Sequence, residues 1–222
     1  MTTSVAPRYD GLADWYDAYN HDAAQGHADD LVRLLGRGDG LALDLGCGTG
    51  HYVAAIASTG RTVVGVDVSA DQLRIARTRT PRVARSDAGR LPFRDGAFRT
   101  VTTMWISTDV DDFAAVLAEC ARVLEPGGLL IFSGVHPCFN GPQIEVRADG
   151  ARIIHPVYRV AGWHLDAPWW GETIRRRTGM RQVPLAALLN GFARAGLLID
   201  HVEEPGDSPV PWGLSIRAIR AR

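Results

Sequence analysis

The 222-residue chain is 46% apolar and 22% charged, and its 24 basic and 25 acidic side chains leave a formal net charge of −1. That balance suits a globule with a substantial core and excludes a general pull toward nucleic acid or an anionic membrane. No apolar run approaches the roughly 20 residues of a bilayer span, and no ligand pairs at short spacing point to a metal.

Cys47, Cys120 and Cys138 are widely separated and odd in number, which fits reduced thiols. Residues 1–7 contain neither a basic nor an apolar signal region, so the expectation is a cytoplasmic protein.

The pattern predicts an amphipathic helix over 8–20, with Tyr9, Leu12, Ala13, Tyr16 and Ala18 on its less polar side. A second helix is expected over 25–35, with Leu31, Leu34 and Leu35 inward and Gly36 and Gly38 ending it. Next comes Leu41-Ala42-Leu43-Asp44-Leu45-Gly46-Cys47-Gly48-Thr49-Gly50. An apolar run ends in an acid, and glycine then recurs at every second position before a helix expected over 51–58. This is a strand entering a tight turn whose backbone a ligand can approach without meeting a Cβ. The helix that follows offers unpaired N–H groups to an anion.

A second strand, 61–67, is continuously apolar, as burial on both faces requires, and ends at Asp67. Its distance from the loop matches a βαβ unit whose second carboxylate meets a ribose. Ser69 is placed to cap a helix over 70–78. A short strand over 82–86 leads to Asp87 and Ala88. Arg74, Arg77, Arg79, Arg82 and Arg85 lack interleaved aromatics and read as a solvated face. A fourth strand, 98–104, runs into Trp105. A helix over 111–124 carries Phe113, Val116, Leu117, Cys120 and Val123 on one face, and Pro126-Gly127-Gly128 turns the chain into a fifth strand, 129–133.

From 136 to 183 the pattern is broken by prolines and rich in Trp163, Trp169, Trp170, His155 and His164. So long a stretch inside a compact domain implies a functional segment. We read it as a lid containing short strands over 143–147 and 151–155. Arg175-Arg176-Arg177 within it suits a solvated turn better than a contact to an acidic group. A last helix over 184–195, with Pro184 at its first position and Gly196 just past its end, precedes closing strands over 197–203 and 212–221.

Asp-Leu-Gly-Cys-Gly-Thr-Gly at 44–50 resembles the first motif of class I S-adenosylmethionine (SAM) methyltransferases. Ser86-Asp87-Ala88 with Leu91-Pro92-Phe93 resembles their third motif, and Leu124-Glu125-Pro126-Gly127-Gly128 another family hallmark; Arg99 departs from the acid usual after Phe98. The resemblance covers about residues 9–134 and returns over 184–222.

It implies an α/β, Rossmann-like three-layer sandwich with a seven-stranded, mostly parallel sheet and one antiparallel strand in the C-terminal hairpin. The chain would be a single domain, 1–222, with N-terminal helices (1–37) contributing to the site and an inserted lid (136–183). The cofactor would be SAM, leaving as S-adenosylhomocysteine (SAH). Gly46, Cys47, Gly48 and Gly50 would approach its amino-acid end, Asp44 would act through the loop or on its amine, and Asp67 would meet the ribose. Asp87 and Ala88 would meet the adenine, between Val68 and Leu91. Met104 and Trp105 would pass close by, and Tyr16 would close over the methionine end.

The expected acceptor is a small aromatic or apolar molecule, methylated at oxygen, nitrogen or carbon and met by Tyr9, His136, His164, Trp169 and Trp170. His136, just past the fifth strand, is the candidate general base, against a structural role beside Pro137. Alternatives are a non-methylating SAM-binding scaffold or partner subunit, and an RNA or protein methyltransferase. Neither nucleic acid nor membrane is an expected partner, and monomer and homodimer stay open.

Overall fold

A computed structural model describes residues 7–160, 162–170 and 173–222. The reading of a missing leader rests mainly on residues outside that set, as do three positions of the expected lid. The elements in order are α1 (Ala13–Leu35), β1 (Leu41–Leu45), α2 (Val53–Ser58), β2 (Thr62–Asp67), α3 (Ala70–Arg79), β3 (Val83–Arg85), β4 (Phe98–Met104), α4 (Phe113–Val123) and β5 (Leu124–Val135). The segment expected to be a lid follows with β6 (Ile144–Val146), β7 (Arg152–Ile154), β8 (Trp163–His164), α5 (Ile174–Thr178) and β9 (Met180–Arg181). The chain closes with α6 (Leu185–Arg194), β10 (Leu197–Glu203) and β11 (Gly213–Arg220).

Seven strands form one sheet in the order β10-β11-β5-β4-β1-β2-β3. β11 runs antiparallel to both neighbours, and the other pairings are parallel, as expected. Alternation along buried strands assigns the two faces. Leu43 and Leu45 pack with α4 and α6 through Phe113, Leu117, Leu188 and Phe192. Ala42 and Val63 pack with α1 and α2 through Leu31, Leu34, Leu35 and Ile56. The crossovers place the carboxyl ends of β1, β2 and β4 side by side, where open α/β sheets bind ligands.

Three local expectations are corrected. The two N-terminal helices are one, α1, because 21–24 contains no breaker and a mid-helix Gly26 costs only about 1 kcal/mol. The N–H groups of Gly11 and Ala13 at its start donate to Asp71 of α3 (2.9 and 3.2 Å), a cap supplied from another helix. Pro126-Gly127-Gly128 does not precede β5 but lies within it. Gly127 has φ +81°, and the pairing with β4 slips between Phe98 and Thr100, as at a bulge. Pro184 sits at the N-cap of α6 rather than its first position.

Ser69 caps α3 as expected, accepting from the Gln72 N–H at 3.1 Å. Two members of the arginine run tie α3 to α1: Arg74 pairs with Asp14 and Arg79 with Asp17. Further on, the expected short strands appear as β6 and β7, which pair antiparallel around Gly150, at φ +82°.

Candidate active site

The loop after β1 is built by its glycines. Gly46, Gly48 and Gly50 have φ of +71°, +53° and +85°, where a side chain is strained. A Cβ on Gly46 would also stand 2.3 Å from Ile106 Cγ2. The Gly46 and Cys47 N–H groups donate to the Val66 carbonyl (2.8 and 3.0 Å), tying the loop to β2. Gly48 N–H donates to one oxygen of Asp67 (2.8 Å) and Ser69 N–H to the other (2.9 Å). Burial raises the Asp67 carboxyl, opposed by these hydrogen bonds. Each oxygen keeps further acceptor capacity.

Behind the loop, Asp44 is 1% exposed. Its Oδ1 accepts from Thr102 Oγ1 at 3.1 Å, and its Oδ2 has no partner among the described residues. Burial pushes this carboxyl up to about 7. Cys47 is buried against the loop, and burial raises its thiol.

A cavity of about 560 Å³ opens from the loop toward segment 136–183. On one side Tyr9 and Tyr16 pack edge to face at 5.2 Å. The Tyr9 hydroxyl donates to Asp109 at 3.0 Å, and Arg175 of α5 holds the same carboxylate oxygen at 2.5 Å and Thr108 Oγ1 at 3.1 Å. The opposite wall is aromatic. Trp105, held at φ +66° directly after β4, stacks on Trp212 with centroids 5.0 Å apart and planes 8° from parallel. Its indole N–H donates to the Tyr52 hydroxyl at 2.9 Å. A bulky residue at positive φ is rare, and such strain collects at functional sites. His27 of α1 packs on both indoles, 4.8 Å from Trp105 and 4.9 Å from Trp212. Trp169 and Trp170, from the segment before α5, also line the cavity. Trp169 is fixed by stacking on His155 at 3.6 Å and donating to the Pro142 carbonyl at 3.0 Å.

Of the residues singled out by sequence, Tyr9, Tyr16, Gly46, Cys47, Gly48, Met104, Trp105, Trp169 and Trp170 line this cavity. Asp67 ends β2 with Val68 just after it, and Asp87 and Ala88 follow β3 on the same sheet edge, outside the cavity proper. Val68 is 47% exposed, whereas Leu91, its expected partner across a ring, is buried in the core.

His136 stands apart from the other candidates. It does not line the cavity, its Nδ1 accepts from the Cys138 N–H (3.1 Å), and its Nε2 faces Glu204 at 2.9 Å. Both ring nitrogens are thus engaged within the protein. His164 also lies off the cavity, with Nε2 3.3 Å from the Val160 carbonyl. Sequence reasoning missed His27, Tyr52, Asp109 and Trp212, and assigned Arg175 to a solvated turn. Nothing in local spacing joins residues from α1, the β4 end, segment 136–183 and the β11 start.

Residues 43–132 match the methyltransferase domain family. Over the described fold, the chain is similar to an S-adenosylmethionine-dependent methyltransferase from Mesorhizobium loti, with TM-score 0.71 and 25% identity, covering 89% of this chain and all of that one. Over residues 43–132 the chain thus matches a methyltransferase domain, and its fold is like that of an S-adenosylmethionine-dependent methyltransferase.

The chain is also similar to demethylmenaquinone methyltransferases. The likeness is 40% over 144 residues to that of Mycolicibacterium gilvum, 62% of each chain. It is 39% over 122 residues to that of Tropheryma whipplei, 53% of this chain and 46% of that one. The chain thus spans about half to three-fifths of the curated relatives it matches. Among the described residues, no helix is long and apolar enough to cross a membrane.

The residues present fit SAM. The orphaned, buried Asp44 oxygen matches a cationic amine, and the positive-φ glycines leave the space that side chains would fill. Asp67, at the end of the adjoining strand, has remaining lone pairs for hydroxyl groups.

Proposed function

We infer that the protein transfers a methyl group from SAM to a small, planar aromatic molecule. When bound, SAM supplies a methyl group activated on a sulfonium, so the chemistry resides in the cofactor. The chain must orient the acceptor, hold it in line with that methyl group, and exclude water. In this reading Asp44 and the glycine loop hold the amino-acid end, Asp67 the ribose, and Asp87 and Ala88 the adenine. Tyr16, Met104 and Trp105 flank the transfer point.

The observation that carries the reading is the continuity of one cavity. It runs from Gly46 and Gly48 to the indoles of Trp105, Trp212, Trp169 and Trp170, so donor and flat acceptor can meet inside it. Aromatic walls favour a planar ring through stacking worth about 0.5–1.5 kcal/mol per pair beyond burial. The name of the relatives, demethylmenaquinone methyltransferase, supports a quinone-type ring as one such acceptor.

The test is incubation with SAM and a panel of hydroxylated naphthalenes and benzenes, read by mass spectrometry. Products heavier by one methyl group, lost in Trp105→Ala, support the reading. Methylation confined to aliphatic amines or to RNA overturns it.

A further inference from the structure

With both His136 nitrogens engaged within the protein, we propose that His27 is the general base of the transfer and that the acceptor is an aromatic hydroxyl compound, a phenol or hydroquinone. This rests on the methyltransferase reading and deepens it. His27 lines the cavity and is half-buried between the two indoles that form its flat wall. Neither ring nitrogen has a hydrogen-bond partner among the described residues, yet neither is among the sealed, unsatisfied atoms. They are therefore not sealed from solvent.

Of the other titratable groups lining the cavity, burial raises Tyr16 and Cys47, which keeps both protonated near neutrality, and several of the rest are held by neighbours. Tyr9, Asp109 and Arg175 bind one another, the Tyr52 hydroxyl accepts from Trp105, and His51 sits 3.1 Å from Asp17 beside Arg79. Burial lowers the His27 imidazole, keeping it neutral near pH 7 and able to accept a proton. Asp30, on its own helix, acts in the opposite direction, and the elements packed against it present the uncharged rings of Trp105 and Trp212.

A ring stacked on Trp105 or Trp212 brings its hydroxyl to the edge of His27. The hydroxyl proton passes to the open imidazole nitrogen as the O–H bond breaks. The freed electron pair, on oxygen or delocalised to an ortho carbon, forms the bond to the methyl carbon. The carbon–sulfur bond breaks with its pair going to sulfur, leaving SAH. His27 then releases the proton to solvent. If carbon is the acceptor, the ring also loses its C–H proton and regains aromaticity, while the oxygen is reprotonated. The net change in either case is one hydrogen replaced by methyl and one proton released.

The test uses the SAH-loaded protein and 4-nitrophenol, whose ionised form is yellow. At about pH 6, the wild type is expected to bind the dye with a rise in the ionised band. His27→Ala and His27→Gln should lose that rise at least tenfold while keeping SAH affinity. Dye bound equally ionised in both variants, dye bound only in neutral form by the wild type, or no dye binding to SAH-loaded protein would each overturn the assignment. Absence of SAH binding would overturn the methyltransferase reading itself, a separate and distinguishable failure. For any phenol turned over, kcat/KM should fall roughly 100-fold in His27→Ala and lose its acid limb; an unaltered profile contradicts the role.

Discussion

Replacing Asp44 with Asn should make the free protein more stable and its cofactor binding weaker. The Asp44 carboxyl moves from an ordinary value of 3.8 to about 7 on folding, because burial disfavours its charge. Below about pH 4 it is neutral in folded and unfolded chains alike. Between about pH 4 and 7 the unfolded chain releases this proton while the folded chain retains it, so stability falls as pH rises. The full cost above pH 7 is about 4 kcal/mol.

Asparagine removes that cost and still accepts from Thr102, but leaves a buried amide unpaired at about 1–3 kcal/mol. The net gain above pH 7 is about 2 kcal/mol, or roughly 4–8 °C in Tm for a chain of this size. Near pH 4 the gain disappears and the variant should be the less stable of the two. Calorimetric melting at about pH 4 and pH 8 measures this, and titration with SAH should show affinity reduced at least tenfold. A Tm difference independent of pH would refute the electrostatic argument. Stabilisation at high pH with unchanged SAH affinity would refute the amine-binding role.

Asp67→Ala should weaken SAH binding by about 1–3 kcal/mol through lost hydrogen bonds and release the Gly48 and Ser69 N–H groups it anchors; unchanged affinity in calorimetry would remove it from the site. Gly46→Ala places a methyl group against Ile106 at a left-handed φ, so titration should find SAH binding severely reduced and melting lowered. Asp109→Asn leaves the half-buried Arg175 without its charge partner, a change that for a buried pair costs about 3–5 kcal/mol. Limited proteolysis should then cut the lid between residues 136 and 183 faster than in the wild type, and equal cutting rates would show that the pair does not hold the lid.

The sheet was legible because its strands carry strong local signals. Continuous apolar runs end in Asp44 and Asp67, turns announce themselves through glycine, and Ser69 caps its helix through its own side chain. The division of α1 into two helices failed because 21–24 holds no breaker and the buried Leu31, Leu34 and Leu35 offset the small cost of Gly26 within the helix. Within the site, the glycine loop was readable because each positive φ needs glycine. The aromatic wall was not. Trp105 was visible from its position after β4, but Trp212 read as the beginning of a closing strand and His27 carries no local signal within its helix. They meet only because β11 inserts beside β5 and α1 crosses the same sheet end. His136 shows the converse: its place after β5 was legible, but the hydrogen bonds of its ring with Cys138 and Glu204 were not.

The most direct test of the central claim is calorimetric titration of the purified protein with SAH and, separately, with NAD. Saturable SAH binding at one site per chain, weakened by Asp44→Asn and Asp67→Ala, with no NAD binding, is the predicted result. Binding of NAD without SAH would contradict it.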